Sequence, residues 1–187
     1  MLAAGFAEPS REGAVAFRAL LDAMARPGTI ATLRVETPPA GLSPAAAAVL
    51  LTLADPDTPV WLGADAQPAA DWLVFHAGAP ATTDRAAATL AVGNWDEMLP
   101  LDAWAEGTPD YPDQSATLVV AVEALEGGPV LTLTGPGIPG TRTFAPMLPA
   151  GAAEALAANA RRFPLGVDIV LTAGDRVAAL PRSTRLA

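Results

Sequence analysis

Apolar positions along this chain fall into three patterns, and each predicts a different element. In the last fifth, Val167, Ile169, Val170 and Leu171 make a β-branched, apolar run with Asp168 inside it, and Val177-Ala178-Ala179-Leu180 makes a second run that Pro181 stops. Ala173-Gly174-Asp175-Arg176 supplies a turn between them, so the stretch reads as a hairpin. Nearly every position is apolar, which predicts cover on both faces and a central place in the fold. Near the start, Ala14, Phe17, Leu20, Leu21 and Met24 recur at helical spacing. They predict a helix with that face buried, capped by Ser10 and ended by Pro27-Gly28. The third pattern is unbroken apolarity: Ser43-Pro44 opens a helix over residues 45–53 that is apolar all round and so predicted to be buried.

Between these anchors the pattern predicts strands at 29–35, 60–62, 79–82, 89–92, 116–122 and 130–134, and helices at 67–75, 84–88, 94–104 and 149–161. Glu126-Gly127-Gly128-Pro129 suits an antiparallel connection between the last two strands. Residues 106–114 form a polar Gly/Pro loop, the expected mobile surface segment. Gly135-Pro136-Gly137-Ile138-Pro139-Gly140 has the spacing G-x-G-x-x-G after a strand, but Pro136 and Pro139 each remove a backbone donor. It reads as a turn-rich loop rather than a dinucleotide fingerprint.

Composition narrows the chemistry. The 187 residues suit a single domain, 1–187, and 51% apolar with 17% charged excludes a disordered chain. Every cation is arginine: without lysine no Schiff base can hold pyridoxal phosphate, and no P-loop lysine is present. Without cysteine there are no disulfides, thiolate metal sites or cysteine nucleophiles. The N-terminal stretch lacks a basic region and a long apolar segment, and no run approaches a membrane span; the expectation is a soluble, cytoplasmic protein without a membrane. A net charge of −9 argues against nucleic acid as a partner. The charge is uneven: residues 1–160 hold 6 arginines and 18 acids, residues 161–187 hold 5 arginines and 2 acids. That basic end reads either as solvated local ion pairs or as an anion- or partner-binding edge.

The candidate residues follow. Arg182 and Arg185 on the basic end, Arg142 on the glycine-rich loop and Arg26 at the first helix's end are candidates for binding an anion or a partner. Arg26 also stands four residues after Asp22, as a surface ion pair would require. Asp168 lies within a covered strand and needs a cation, with Arg182 or Arg142 able to supply it; a structural ion pair is the reading. Asp55 and Asp57 between prolines read as turn caps rather than a metal site, and the one histidine, His76, as a wall residue at a helix end. No catalytic set, metal site or cofactor site emerges.

Four blocks, in order, carry a resemblance: residues 17–28 (FRALLDAMARPG); 50–55 (LLTLAD) with 58–62 (TPVWL); 131–138 (LTLTGPGI); and the closing hairpin with 181–184 (PRST). Together they resemble the H subunit of the bacterial carbon–phosphorus lyase system, across nearly the whole chain. Membership implies a three-layer α/β/α sandwich with a mixed sheet, similar in outline to pyridoxal phosphate-dependent transferases but without the cofactor. It also implies a homodimer, and partnership with the G, I and J subunits in joining a phosphonate to the ribose of ATP with loss of adenine. The family supplies no catalytic residue to carry over, so the chain is expected to be an accessory subunit. The alternatives are a free-standing enzyme using Asp168 and the C-terminal arginines on an anionic substrate, and a dimeric scaffold with no ligand.

Overall fold

The computed structural model describes residues 2–187 and builds most of them around one mixed, seven-stranded sheet. Its strands are β1 (Ile30–Thr32), β2 (Val60–Leu62), β3 (Ala81–Thr82), β4 (Leu90–Asn94), β5 (Thr117–Ala121) and, past β6 (Leu131–Thr134) and β7 (Arg142–Phe144), β8 (Asp168–Ala173) and β9 (Arg176–Leu180). They lie in the order β1-β9-β8-β5-β4-β2-β3. Strands β3, β2, β4, β5 and β8 run parallel; β9 returns antiparallel on β8, and β1 pairs antiparallel on β9. β6, β7 and β10 (Arg185–Leu186) make a second, three-stranded antiparallel sheet.

The closing hairpin is β8–β9, and it is central as the pattern predicts, with β5 on one side and β1 on the other. A two-residue turn joins the strands, and Gly174 takes φ 59°, a conformation that glycine adopts without steric cost. The turn is held from outside too, since Ala45 N–H donates to the Gly174 carbonyl at 3.0 Å and Leu33 N–H to that of Asp175 at 2.8 Å.

Alternate residues of each strand feed opposite cores. Val60, Leu90, Val92, Val119, Val170 and Val177 face helices α1 (Pro9–Ala25), α2 (Pro44–Leu53) and α3 (Ala70–Ala77). Ala91, Leu118, Val120, Ile169, Leu171 and Leu180 face α4 (Trp95–Met98), α5 (Ala152–Ala160) and the small sheet. Helix α2 begins as predicted, with Ser43 Oγ accepting Ala46 N–H at 3.1 Å, and its residues 45–50 are buried all round.

Three expectations fail, in whole or in part, for physical reasons. β5 and β6 do not pair, because β4 and β8 already occupy both edges of β5. The intervening loop instead crosses to the small sheet; Gly128 donates to the Ala145 carbonyl, and a Cβ there would meet the Pro146 carbonyl oxygen at 2.1 Å. On α1, the core takes only part of the expected face: Leu20 is buried and Met24 packs against the core, but Ala14, Phe17 and Leu21 stay at the surface. Ala16, Leu20 and Ala23 are buried, whereas Phe17 and Leu21 are 52% and 54% exposed. The helix carries two apolar stripes, and the alanine-rich one allows closer approach to the alanines of α2. Its first turn also differs: Glu12 reaches back to the Ala7 N–H at 3.0 Å, and Ser10 lies inside the helix without capping it.

Candidate functional site

The basic end of the chain folds into two distinct arrangements. In the first, Asp168 opens β8 and Arg182 follows β9 after Pro181, so the hairpin register brings them side by side. The guanidinium grips the carboxylate from two nitrogens, Nη2 to Oδ2 at 2.8 Å and Nε to Oδ1 at 3.2 Å, and the Arg182 backbone N–H adds a bond to Oδ1 at 2.9 Å. Nη1 turns to the carbonyls of Pro112 and Gly166. Both side chains are only 14% exposed, and the carboxylate already accepts three hydrogen bonds. This is a planar, two-pronged pair that ties hairpin, loop and β8 entry together. The same bond secures residues 106–114, expected to be mobile: Pro112 is held by Arg182, and Glu106 pairs with Arg162 and bridges to Ser115.

In the second arrangement, Arg161 at the end of α5 and Arg185 on β10 line one surface hollow of about 320 Å³, with Phe163 on its wall. Among the described residues neither arginine has a carboxylate partner, unlike Arg162 and Arg176, which pair with Glu106 and Glu126. The geometry thus separates the predicted site residues. Arg182 is engaged within the fold, and Arg185 remains open to an incoming group. Arg161, which spacing alone did not single out, joins it because α5 packs against β10.

Arg142 and Arg26 come together elsewhere. Arg142 lies on β7 and donates from Nη1 to the carbonyls of Arg26 at 3.1 Å and Pro27 at 2.9 Å, completing the end of α1. Arg26 itself pairs with Asp22 at 3.1 Å on the surface. The glycine-rich loop before β7 packs on the same helix end, where a Cβ on Gly137 would meet the Ala25 carbonyl oxygen at 1.9 Å. It is a turn with Ile138 buried beneath it, and no helix opens there.

The smaller readings resolve simply. Asp55 Oδ1 accepts the Asp57 N–H at 2.9 Å and the Thr58 hydroxyl at 2.6 Å, the turn-capping role. His76 packs against Trp72 and Phe75, and its Nε2 lies 3.1 Å from the Ala3 carbonyl, fastening the N-terminal segment. Among the described residues no three His, Asp or Glu side chains converge as a metal group would require, and no helix is long and apolar enough to cross a membrane.

A full-length comparison settles the family. The model of the family described as "Bacterial phosphonate metabolism protein (PhnH)" matches residues 4–187. The chain belongs to the PhnH family. One relative from Rhizobium meliloti (strain 1021), named alpha-D-ribose 1-methylphosphonate 5-triphosphate synthase subunit PhnH, is 46% identical over 97% of this chain and 93% of its own. Another, from Stutzerimonas stutzeri and named putative C-P lyase subunit protein HtxG, is 40% identical over 43% of this chain and 42% of its own. The resemblance carried by the four sequence blocks is thereby confirmed. In this chain the most buried carboxylate–arginine pair, Asp168–Arg182, is engaged within the fold.

Proposed function

We propose that this chain is an accessory subunit of the assembly that joins the ribose triphosphate of ATP to a phosphonate, with displacement of adenine, ahead of carbon–phosphorus bond cleavage. The observation that carries the reading is the match, over nearly both full lengths, to a relative named as a subunit of that synthase. Its partners would be subunits of the G, I and J types together with a second copy of itself. The Asp168–Arg182 pair weighs against the free-standing enzyme, because a carboxylate held by three hydrogen bonds has little freedom to act on a substrate. The direct experiment is deletion of the gene followed by assay of phosphonate use. Growth on phosphonate should fail and return with this chain, and unimpaired growth of the deletion strain would refute the reading.

Two surfaces serve assembly in this proposal. The outer stripe of α1, with Ala14, Phe17 and Leu21 exposed and Met24 half-buried at its end, has the alternating three- and four-residue spacing of a helix–helix seam. A narrow groove runs beside it between Phe17, Leu21, Met24 and Leu53. A second copy, offering the same stripe across a two-fold axis, is the occupant. The Arg161–Arg185 hollow is the candidate contact for an acidic neighbouring subunit or an anionic ligand. Arg185→Ala should cost under about 1 kcal/mol of folding stability, as at most surface sites, while weakening capture of the other subunits. Equal capture by variant and wild type in a pull-down would remove Arg185 from the interface.

The likeness in outline to pyridoxal phosphate-dependent transferases is part of the same proposal, and the mixed sheet covered on both faces supports it. The cofactor chemistry would not come with the outline. With no lysine in the chain, incubation with pyridoxal phosphate and borohydride should leave no reduced adduct on any side chain. A stable adduct mapped to a side chain, as distinct from the N-terminal amine, in the mass spectrum of the digested protein would contradict this.

A further inference from the structure

In an open parallel sheet, ligands enter the crevice beyond the carboxyl ends of two neighbouring strands whose connections leave to opposite faces. Here those strands are β2 and β4. From β2 the chain passes through α3, on the first core, to reach β3; from β4 it passes through α4, on the second core, to reach β5. Each strand is followed or ended by a glycine, Gly63 after β2 and Gly93 within β4, which leaves a space at the crevice. The space is filled by the chain itself. A Cβ on Gly63 would lie 2.4 Å from Glu97 Oε2, and one on Gly93 would lie 2.7 Å from the same oxygen.

Glu97 takes both nearby backbone donors. Its Oε1 accepts the Ala64 N–H at 2.7 Å and its Oε2 the Asn94 N–H at 3.0 Å, while Asn94 Oδ1 accepts the Glu97 N–H at 3.1 Å. The last two bonds form a capping box for α4, while the bond to Ala64 spans 33 residues and takes up the first N–H of the 3-10 turn (Ala64–Ala69) that leads into α3, so one carboxylate ties two helix starts together across the crevice. The backbone behind Glu97 is fixed as well. Arg85 donates to the Glu97 carbonyl at 2.8 Å and to the Leu99 carbonyl at 2.9 Å, and its guanidinium lies 5.3 and 5.1 Å from the ring centres of Trp61 and Trp104.

We infer that Glu97 is a built-in substitute for a bound anion: its carboxylate occupies the strand-end crevice between β2 and β4 and withholds it from any ligand. The closure is confined to the β2–β4 crevice, since on its other side Glu97 borders an open hollow of about 490 Å³ with Asn94, Asp96 and Glu123 beyond β4 and β5. The consequence is specific. Removing the carboxylate should leave a glycine-lined hollow with two free N–H donors, which a small carboxylate or phosphate can refill.

The test compares wild type, Glu97→Ala and, as a control, Glu123→Ala, whose carboxylate lines the same outer hollow as Glu97 without holding a backbone donor. Melting temperatures are measured in millimolar acetate, in inorganic phosphate, and in chloride of equal ionic strength. Glu97→Ala should melt several degrees lower, and acetate or phosphate, but not chloride, should restore part of the loss; the other two proteins should show no such recovery. Unchanged melting in Glu97→Ala, or a loss that no anion reverses, would overturn the inference. A second measurement uses the intact protein, so a variant that fails to fold does not end the test. In amide NMR of wild type titrated with phosphate, Ala64 and Asn94 should not move, and saturable shifts at those two amides would overturn it equally.

Discussion

Replacing Arg182 with alanine is expected to destabilise the protein by up to about 3–5 kcal/mol, the cost of stranding one member of a buried ion pair, with the 14% exposure of both side chains drawing the value toward the lower end. The substitution leaves Asp168 at 14% exposure with only the Arg182 backbone N–H as its donor, and frees the carbonyls of Pro112 and Gly166. Asp168→Asn in the same chain should recover a large part of the loss, because a neutral amide no longer needs a countercharge. Urea unfolding of the two single variants and the double variant gives the coupling energy directly. A loss at Arg182 below about 1 kcal/mol, the range of ordinary surface sites, would mean that the pair is not what holds the hairpin to its loop. Such a result would return Arg182 to the candidate binding residues alongside Arg185.

The second large effect is expected at α1. If Phe17 and Leu21 form a two-fold seam, Leu21→Glu places two charges near one another in an apolar contact, and the dimer should dissociate while the fold survives. Survival is expected because Leu21 is 54% exposed and the core uses Ala16, Leu20 and Ala23 instead. Sedimentation at micromolar concentration should show a dimer for wild type and a monomer for the variant, with matching circular dichroism. A wild-type monomer, or a dimer indifferent to Leu21→Glu, would remove this helix face from the interface.

What was legible in the sequence follows how locally each feature is determined. The β8–β9 hairpin and the buried α2 could be read because their positions are apolar without interruption, so any register buries them. The need of Asp168 for a cation was legible for the same reason, while the choice of Arg182 over Arg142 was made by the hairpin register, which leaves Arg142 on the end of α1. The buried face of α1 was legible only at Leu20 and Met24, because two apolar stripes share the helix and the neighbouring alanines of α2 choose between them. Pairing of β5 was decided by the arrival of β8, some fifty residues later, on the edge that β6 would have used.

The candidate site divides in the same manner. Arg142 on the carbonyls that end α1 depends on a contact 115 residues apart, and nothing local to either segment announces it. Arg161 meets Arg185 only through the packing of α5 on β10, a strand of two residues that carries no periodic signal. Glu97 was half visible: Asn94 and Glu97 have the spacing of a capping box, but the reach to Ala64 across the crevice belongs to the sheet order.

Membership in the assembly is tested most directly by co-purification of the tagged chain after co-expression with subunits of the G, I and J types from the same organism. The account predicts a single stoichiometric complex containing this chain, and loss of ribose phosphonate triphosphate synthesis when the chain is omitted. Elution of the chain by itself, with full synthesis by the remaining subunits, would contradict it.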